Sequence, residues 1–256
     1  MEVKKKRALL PKFLTFLKKD PRQAVATGLY VPLYVYPAGD GLEQYRRLVR
    51  VRVAHPSVPV MVAINPSSGS GVQMDPNYEA AVSMLQAAGI VVLGYIYTSW
   101  GSRSISQALA EIAVYRQWYG ADGIMVDEFS TDVQTAAYYK RIRDYARSLG
   151  MTFVMGNPGT DVPVQHLGLA DNFIIYENAG LPARDWVGGW HEAYPKQNWS
   201  CCSYGVPLPD DSRAIKLLSR RLGFIYVTDG GMPNPYSSIP RYLERLVEIL
   251  DDVADR

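Results

Sequence analysis

The sequence predicts a single (β/α)8 barrel. Eight short runs rich in Val, Ile, Leu, Tyr and Phe recur after Gly28, and a helical or partly helical segment follows each. The runs are apolar nearly throughout instead of alternating, as strands buried on both faces of a parallel sheet are. Eight such units in a chain of 256 residues match a barrel closed by its own helices. The competing architecture is an open, doubly wound sheet. That fold carries a glycine-rich phosphate loop after its first strand, and here the first run ends YPAGDG, not GxGxxG.

The expected strands are LYVPLYVYP (29–37), VPVMVAINP (58–66), IVVLGYIYT (90–98), ADGIMVDE (121–128), MTFVMGNP (151–158), NFIIYEN (172–178), WSCCSYGV (199–206) and LGFIYVTDG (222–230). The clearest helices are expected over 42–54, 76–89, 104–119, 132–150 and 211–223, with an eighth in the final segment IPRYLERLVEILDDVADR. Asp75 can cap a helix that has Pro76 at its first position. Gly89 and Gly150 stand where helix C-terminal glycines belong. Asp211 or Ser212 can cap the seventh helix. The segment after the fifth strand, VPVQHLGLA, reads as a short helix, and the sixth, LPARDWVGGWHEAY, as irregular.

One barrel domain preceded by a short arm is expected. Residues 1–27 (beginning MEVKKKRALLPKFLTFLKKDPRQ) are expected to be a basic helical arm, and residues 28–256 the barrel. Pro11 and Lys12 interrupt the arm's apolar stretch and no small-residue cleavage site follows cleanly, so it does not read as a signal peptide. That alone points to the cytoplasm. A peripheral membrane contact through the arm is the lesser reading.

Composition narrows the chemistry. A formal charge of +2 gives no electrostatic footprint for nucleic acid. The only cysteines, Cys201 and Cys202, are adjacent and face opposite ways on a strand, so they form neither an ordinary bridge nor a zinc motif. Eighteen tyrosines and five tryptophans suit either barrel-rim packing or the C–H faces of sugar rings.

A barrel's active site lies at the C-terminal ends of its strands. Those ends carry Tyr36, Asn65, Tyr95, Tyr97, Asp127, Glu128, Asn157, Glu177, Tyr204 and Asp229. Carboxylates therefore end strands four, six and eight. Acids from strands four and six can face each other, which is what glycoside hydrolysis requires: one protonates the leaving oxygen and the other attacks carbon or activates water. Tyr36, Asn65, Tyr95, Tyr97, Asn157, Tyr204 and Asp229 are expected to contact substrate; for Asp229 a turn or a substrate contact is preferred to catalysis. The histidines His55, His166 and His191 do not cluster at strand ends, and nothing resembles a serine triad. No metal and no cofactor are expected. The loop NPSSGSGV (65–72) lacks the Lys and Ser/Thr of a phosphate-binding loop, so it reads as a flexible lid or rim loop. A barrel enzyme for a phosphorylated substrate is disfavoured, because no cation stands at the ends of strands seven and eight.

The ordered series YVPLYVYP, VMVAINPSSGSG, GIVVLGYIYTSWGSR and YGADGIMVDE resembles the spherulin-4-like (spherulation-specific) family of glycoside hydrolases. The resemblance runs from about Tyr30 to about Asp229 and is densest over the first four strands. It implies a (β/α)8 barrel and endo-acting hydrolysis of α-1,4-linked N-acetylgalactosamine or galactosamine polymers, such as those of exopolysaccharides and biofilms. It places the family's acidic cluster on Asp127, Glu128 and Glu177. The expected partner is accordingly a polysaccharide or oligosaccharide, and the resemblance points to a secreted or surface location, against the reading of the first residues. The expected roles are Asp127 as nucleophile, Glu177 as general acid/base and Glu128 as an orienting group; on sequence alone Asp127 and Glu128 can exchange. A carbohydrate-binding barrel that does not cut its ligand is the alternative.

Overall fold

The structure, a computed structural model, describes residues 26–183, 186, 189–207 and 212–254. The expected arm up to residue 25 and the Asp211 cap lie outside the described residues. The apolar runs form β1 (Gly28–Leu33), β2 (Val60–Ile64), β3 (Val91–Tyr97), β4 (Gly123–Asp127), β5 (Phe153–Asn157), β6 (Asn172–Ala179), β7 (Trp199–Tyr204) and β8 (Phe224–Val227). Each pairs in parallel with the next, and β8 pairs back onto β1, closing the expected barrel. At that seam Thr27 Oγ1 donates to the carbonyl of Ser219 at 2.6 Å, and Lys196 Nζ donates to the same carbonyl at 2.8 Å.

Outside the strands lie α1 (Asp40–Ala54), α2 (Pro76–Ala87), α3 (Ile105–Tyr119), α4 (Ala136–Ser148), α5 (Arg213–Leu218) and α6 (Leu243–Ala254). Asp75 caps α2 as expected, accepting from the Asn77 N–H at 2.8 Å. Ser212 stands at the α5 N-cap but makes no side-chain cap bond. Among the described residues, the connections after β5 and β6 contain only 3-10 turns, at Val164–His166, Gly189–Ala193 and Lys196–Asn198. Pro163 and Gly168 bracket the first too closely for an α-helix. The final helix starts at Leu243, after a turn over Arg241 and Tyr242 in which the Leu243 N–H donates to the Pro240 carbonyl at 3.2 Å.

Strand pairing also stops sooner than the apolar runs. β1 ends at Leu33, the residue registered with Ile64, the last of β2. Beyond it Tyr34 to Pro37 have no ladder to join and instead enter the loop over the barrel mouth. Among the described residues, no helix is long and apolar enough to cross a membrane.

The interior is plugged at its lower end by Phe153 and Phe224, from non-neighbouring strands, whose rings meet edge to face at 6.1 Å. Above them the fully buried Tyr30, Cys202 and Tyr226 fill the barrel beneath its mouth. One glycine sets the site's position. A Cβ on Gly156 would lie 2.9 Å from both the Phe129 and Phe173 rings. Phe129 cannot retreat, since it stacks on Tyr139 at 3.6 Å. Gly156→Ala is therefore expected to destabilise the fold by about 1–3 kcal/mol, as overpacking does, measured by urea denaturation.

Candidate active site

Asp127 ends β4 and Asn157 ends β5, and the two are register partners. Neighbours in register point to the same face of a sheet, so both side chains enter the mouth. Glu177 arrives there by a different route. Phe173 faces outward against Phe129, so strict alternation would turn residue 177 outward too. The β6–β7 register slips by one between Ile174 and Tyr176, leaving Glu177 opposite Cys202. That bulge re-aims Glu177 inward.

One amide joins the two acids. Asn157 Nδ2 donates to Asp127 Oδ1 at 2.8 Å and to Glu177 Oε2 at 2.6 Å. The two oxygens are therefore at most the sum of those distances apart, 5.4 Å. Each remaining carboxylate oxygen takes a tyrosine hydroxyl: Tyr95 donates to Asp127 Oδ2 at 2.8 Å, and Tyr236 donates to Glu177 Oε1 at 2.5 Å. A carboxylate oxygen has two lone pairs, so each Glu177 oxygen, with one such donor, keeps one for a ligand.

Burial pushes the Glu177 carboxyl above the usual range, and the Asp127 charge pushes the same way, against the bonds from Tyr236 and Asn157. Burial also raises Asp127, against the bonds from Tyr95, the Glu128 N–H and Asn157. The phenols beneath follow the same rule. Burial, then the charges around them, holds Tyr30 and Tyr34 well above the ordinary tyrosine value. They stay neutral, as does Cys202.

Glu128, next in the chain, does not join this group through Asn157. It sits in the left-handed region, φ 51°, and its Oε2 accepts from the Ser99 N–H at 3.0 Å. Ser99 and Trp100 are left-handed as well, at φ 46° and 51°. Such conformations cost non-glycine residues about 1–3 kcal/mol each and gather at functional sites.

The other expected site residues spread along the rim. Asn157 is 7% exposed, and its Oδ1 accepts from the Gly159 N–H, so it braces the acids. Asn65 Oδ1 accepts from the Gly69 N–H at 2.8 Å within the loop 65–72. That loop is held, since Ser70 N–H donates to Glu111 Oε1 at 3.0 Å. Tyr97 lies under the Arg103 guanidinium, 4.2 Å from its ring centre. Tyr36 is half exposed and accepts from Asn77 Nδ2. Tyr204 ends β7, where its carbonyl accepts from the Gly180 N–H. Asp229 accepts from Arg241 Nε at 2.5 Å, which makes it a loop anchor after β8. The histidines lie elsewhere: His55 on Asp251, His166 against the Ser130 carbonyl, and His191 on Asp161. Sequence reasoning missed Tyr236. Its signal was an aromatic in the Pro-rich loop directly after the last strand, GGMPNPYSSIP.

Residues 28–250 match the spherulation-specific family 4. The chain belongs to this family. Spherulin-4 of Physarum polycephalum is 29% identical to this family member over 248 residues, covering 91% of the chain and 72% of that protein. Among solved structures, Aspergillus clavatus Sph3 in complex with GalNAc aligns over 89% of the chain and 98% of its own, with a TM-score of 0.78 and 23% identity. The catalytic domain of a mannanase from Streptomyces sp. SirexAA-E aligns over 91% and 87%, with a TM-score of 0.55 and 13% identity. At these identities the structural likeness bears on the fold, a barrel shared with proteins of those names.

In this family 4 member the Tyr236 hydroxyl opposes the burial that raises Glu177. Tyr236→Phe is expected to move the Glu177 carboxyl titration to still higher pH, followed by carboxyl carbon NMR.

Proposed function

We propose that the chain is a retaining, endo-acting glycoside hydrolase for α-1,4-linked N-acetylgalactosamine or galactosamine polymers. The observation that carries the reaction type is the pair of carboxylate oxygens held within 5.4 Å by Asn157. Retaining enzymes place their acids about 5–5.5 Å apart, and inverting enzymes about 6.5–9.5 Å apart to admit a water. The linkage and sugar rest on family membership and on the GalNAc bound by the Aspergillus protein.

Asp127, ionised, attacks the anomeric carbon and forms a glycosyl ester. Glu177, protonated, gives its proton to the departing glycosidic oxygen. In the second step Glu177, now a carboxylate, takes a proton from water. The resulting hydroxide attacks the same carbon and releases Asp127. Tyr95 steadies the Asp127 charge, while burial and the neighbouring charge keep the proton on Glu177. Activity should rise with pH as Asp127 ionises and fall as Glu177 does, with both limbs above the ordinary carboxylate range.

The direct test is release of oligosaccharides from purified galactosaminogalactan. Tight binding with no release would replace this reading with the non-cutting carbohydrate binder. Glu177→Gln is expected to lower kcat by about 10²–10⁴ and to erase the alkaline limb of the pH profile. The same variant should be more stable than the parent at neutral pH. A carboxyl raised on folding contributes stability below its unfolded value and loses it as pH rises through the folded one. Replacing it by a neutral amide should raise Tm by about 2–4 °C at pH 8, and the gain should vanish towards pH 4.

A further inference from the structure

We infer that Trp100 is a sugar-stacking platform beside Asp127, and that Glu128 is the positioning residue that holds it there. This deepens the carbohydrate reading above and rests on it. Trp100 is 63% exposed, on the loop directly after β3. An indole that open adds little to the core. Its left-handed backbone is unfavourable for a bulky residue, so folding alone gives no reason to keep a tryptophan there.

What holds the strained turn is the end of β4. Trp100 N–H donates to the Glu128 carbonyl at 2.9 Å, and Ser99 N–H donates to Glu128 Oε2 at 3.0 Å. Thr98 N–H donates to the Asp127 carbonyl at 3.1 Å, and Thr98 Oγ1 donates to the Glu128 carbonyl at 2.8 Å. The turn is therefore fastened to the two residues that end in the acid pair. Glu128 is itself left-handed, so its main chain and side chain both serve this fastening. Strain over-determined by its surroundings, with an exposed aromatic at its apex, fits a surface preorganised for a ligand.

The ligand class follows from the indole. A pyranose offers a C–H face, and in the galacto configuration the axial O4 leaves H3, H4 and H5 together on one side. A protonated amine on such a sugar adds a cation–π attraction.

Binding can be separated from cutting in the Glu177→Gln background, titrated calorimetrically with α-1,4-galactosamine and N-acetylgalactosamine oligomers. Adding Trp100→Ala should weaken binding about tenfold; in the active enzyme it should raise KM about tenfold and leave kcat within about threefold. Glu128→Ala should match Trp100→Ala, and the two together should be no worse than either alone. Glu128→Gln keeps an oxygen for the Ser99 N–H and should stay within about threefold of the parent. Circular dichroism confirms that each variant folds. Unchanged binding in Trp100→Ala overturns the platform. Equal losses in Glu128→Gln and Glu128→Ala, or losses that multiply with Trp100→Ala, overturn the positioning role. If the parent binds neither oligomer nor mannan and chitin oligomers, the carbohydrate reading falls and the platform with it. If the parent binds and cuts while Trp100→Ala is indifferent, only the platform falls.

Discussion

The Asn157 amide is the contact on which the rest of the site depends. Its two N–H bonds reach two carboxylates that no cation accompanies among the described salt bridges. Two full charges about 5 Å apart repel by roughly 3 kcal/mol at an effective dielectric constant near 20. One proton on the pair relieves that repulsion, so the geometry favours a singly protonated pair. The donors around it fit this. Tyr95 and Tyr236 offer neutral hydroxyls, and burial keeps them neutral by raising both phenols. An arginine or lysine in either place would stabilise the second charge and strip the proton from the pair.

The barrel supplies what this pair needs, element by element. Parallel register brings Asp127 and Asn157 to the same height and face without any special device. Glu177 needs one, because alternation along β6 would send it outward from Phe173. The bulge before Tyr176 corrects the parity by one residue. Gly156 lets the Phe129 and Phe173 rings close over β5, fixing the strand that carries the shared amide. A stiff core thus transmits its order directly to the two acids.

This division explains what the sequence could reveal. Asp127 and Glu177 were legible because an apolar run that ends in an acid marks the mouth of a barrel, wherever the exact strand end falls. The bulge was illegible, because FIIYEN has the same apolar character in either register. Tyr236 was hidden by distance, since 59 residues separate it from Glu177 and only barrel closure brings them together. Strand lengths were overread for a related reason: apolar runs report burial, and Tyr34 to Pro37 keep their aromatic character over the mouth after β2 has ended. The left-handed Glu128 has no local signal, as glutamate shows no preference for that region.

The glycine- and serine-rich loop 65–72 shows how context overrides composition. Its glycines invite a phosphate cradle or a moving lid. Instead Gly69 N–H is capped by Asn65, and Ser70 N–H is bound by the Glu111 carboxylate, which repels an anion from the same amide. Glu111 also pairs with Arg103 at 2.7 Å, both largely buried, and Arg103 N–H reaches the Tyr97 carbonyl at 3.0 Å. Breaking one partner of such a buried pair leaves the other charge uncompensated, so the link resists opening. The loops after β2 and β3 are thereby joined into one rim beside the acids. A rim ordered before the ligand arrives loses less entropy on binding than a lid that must close.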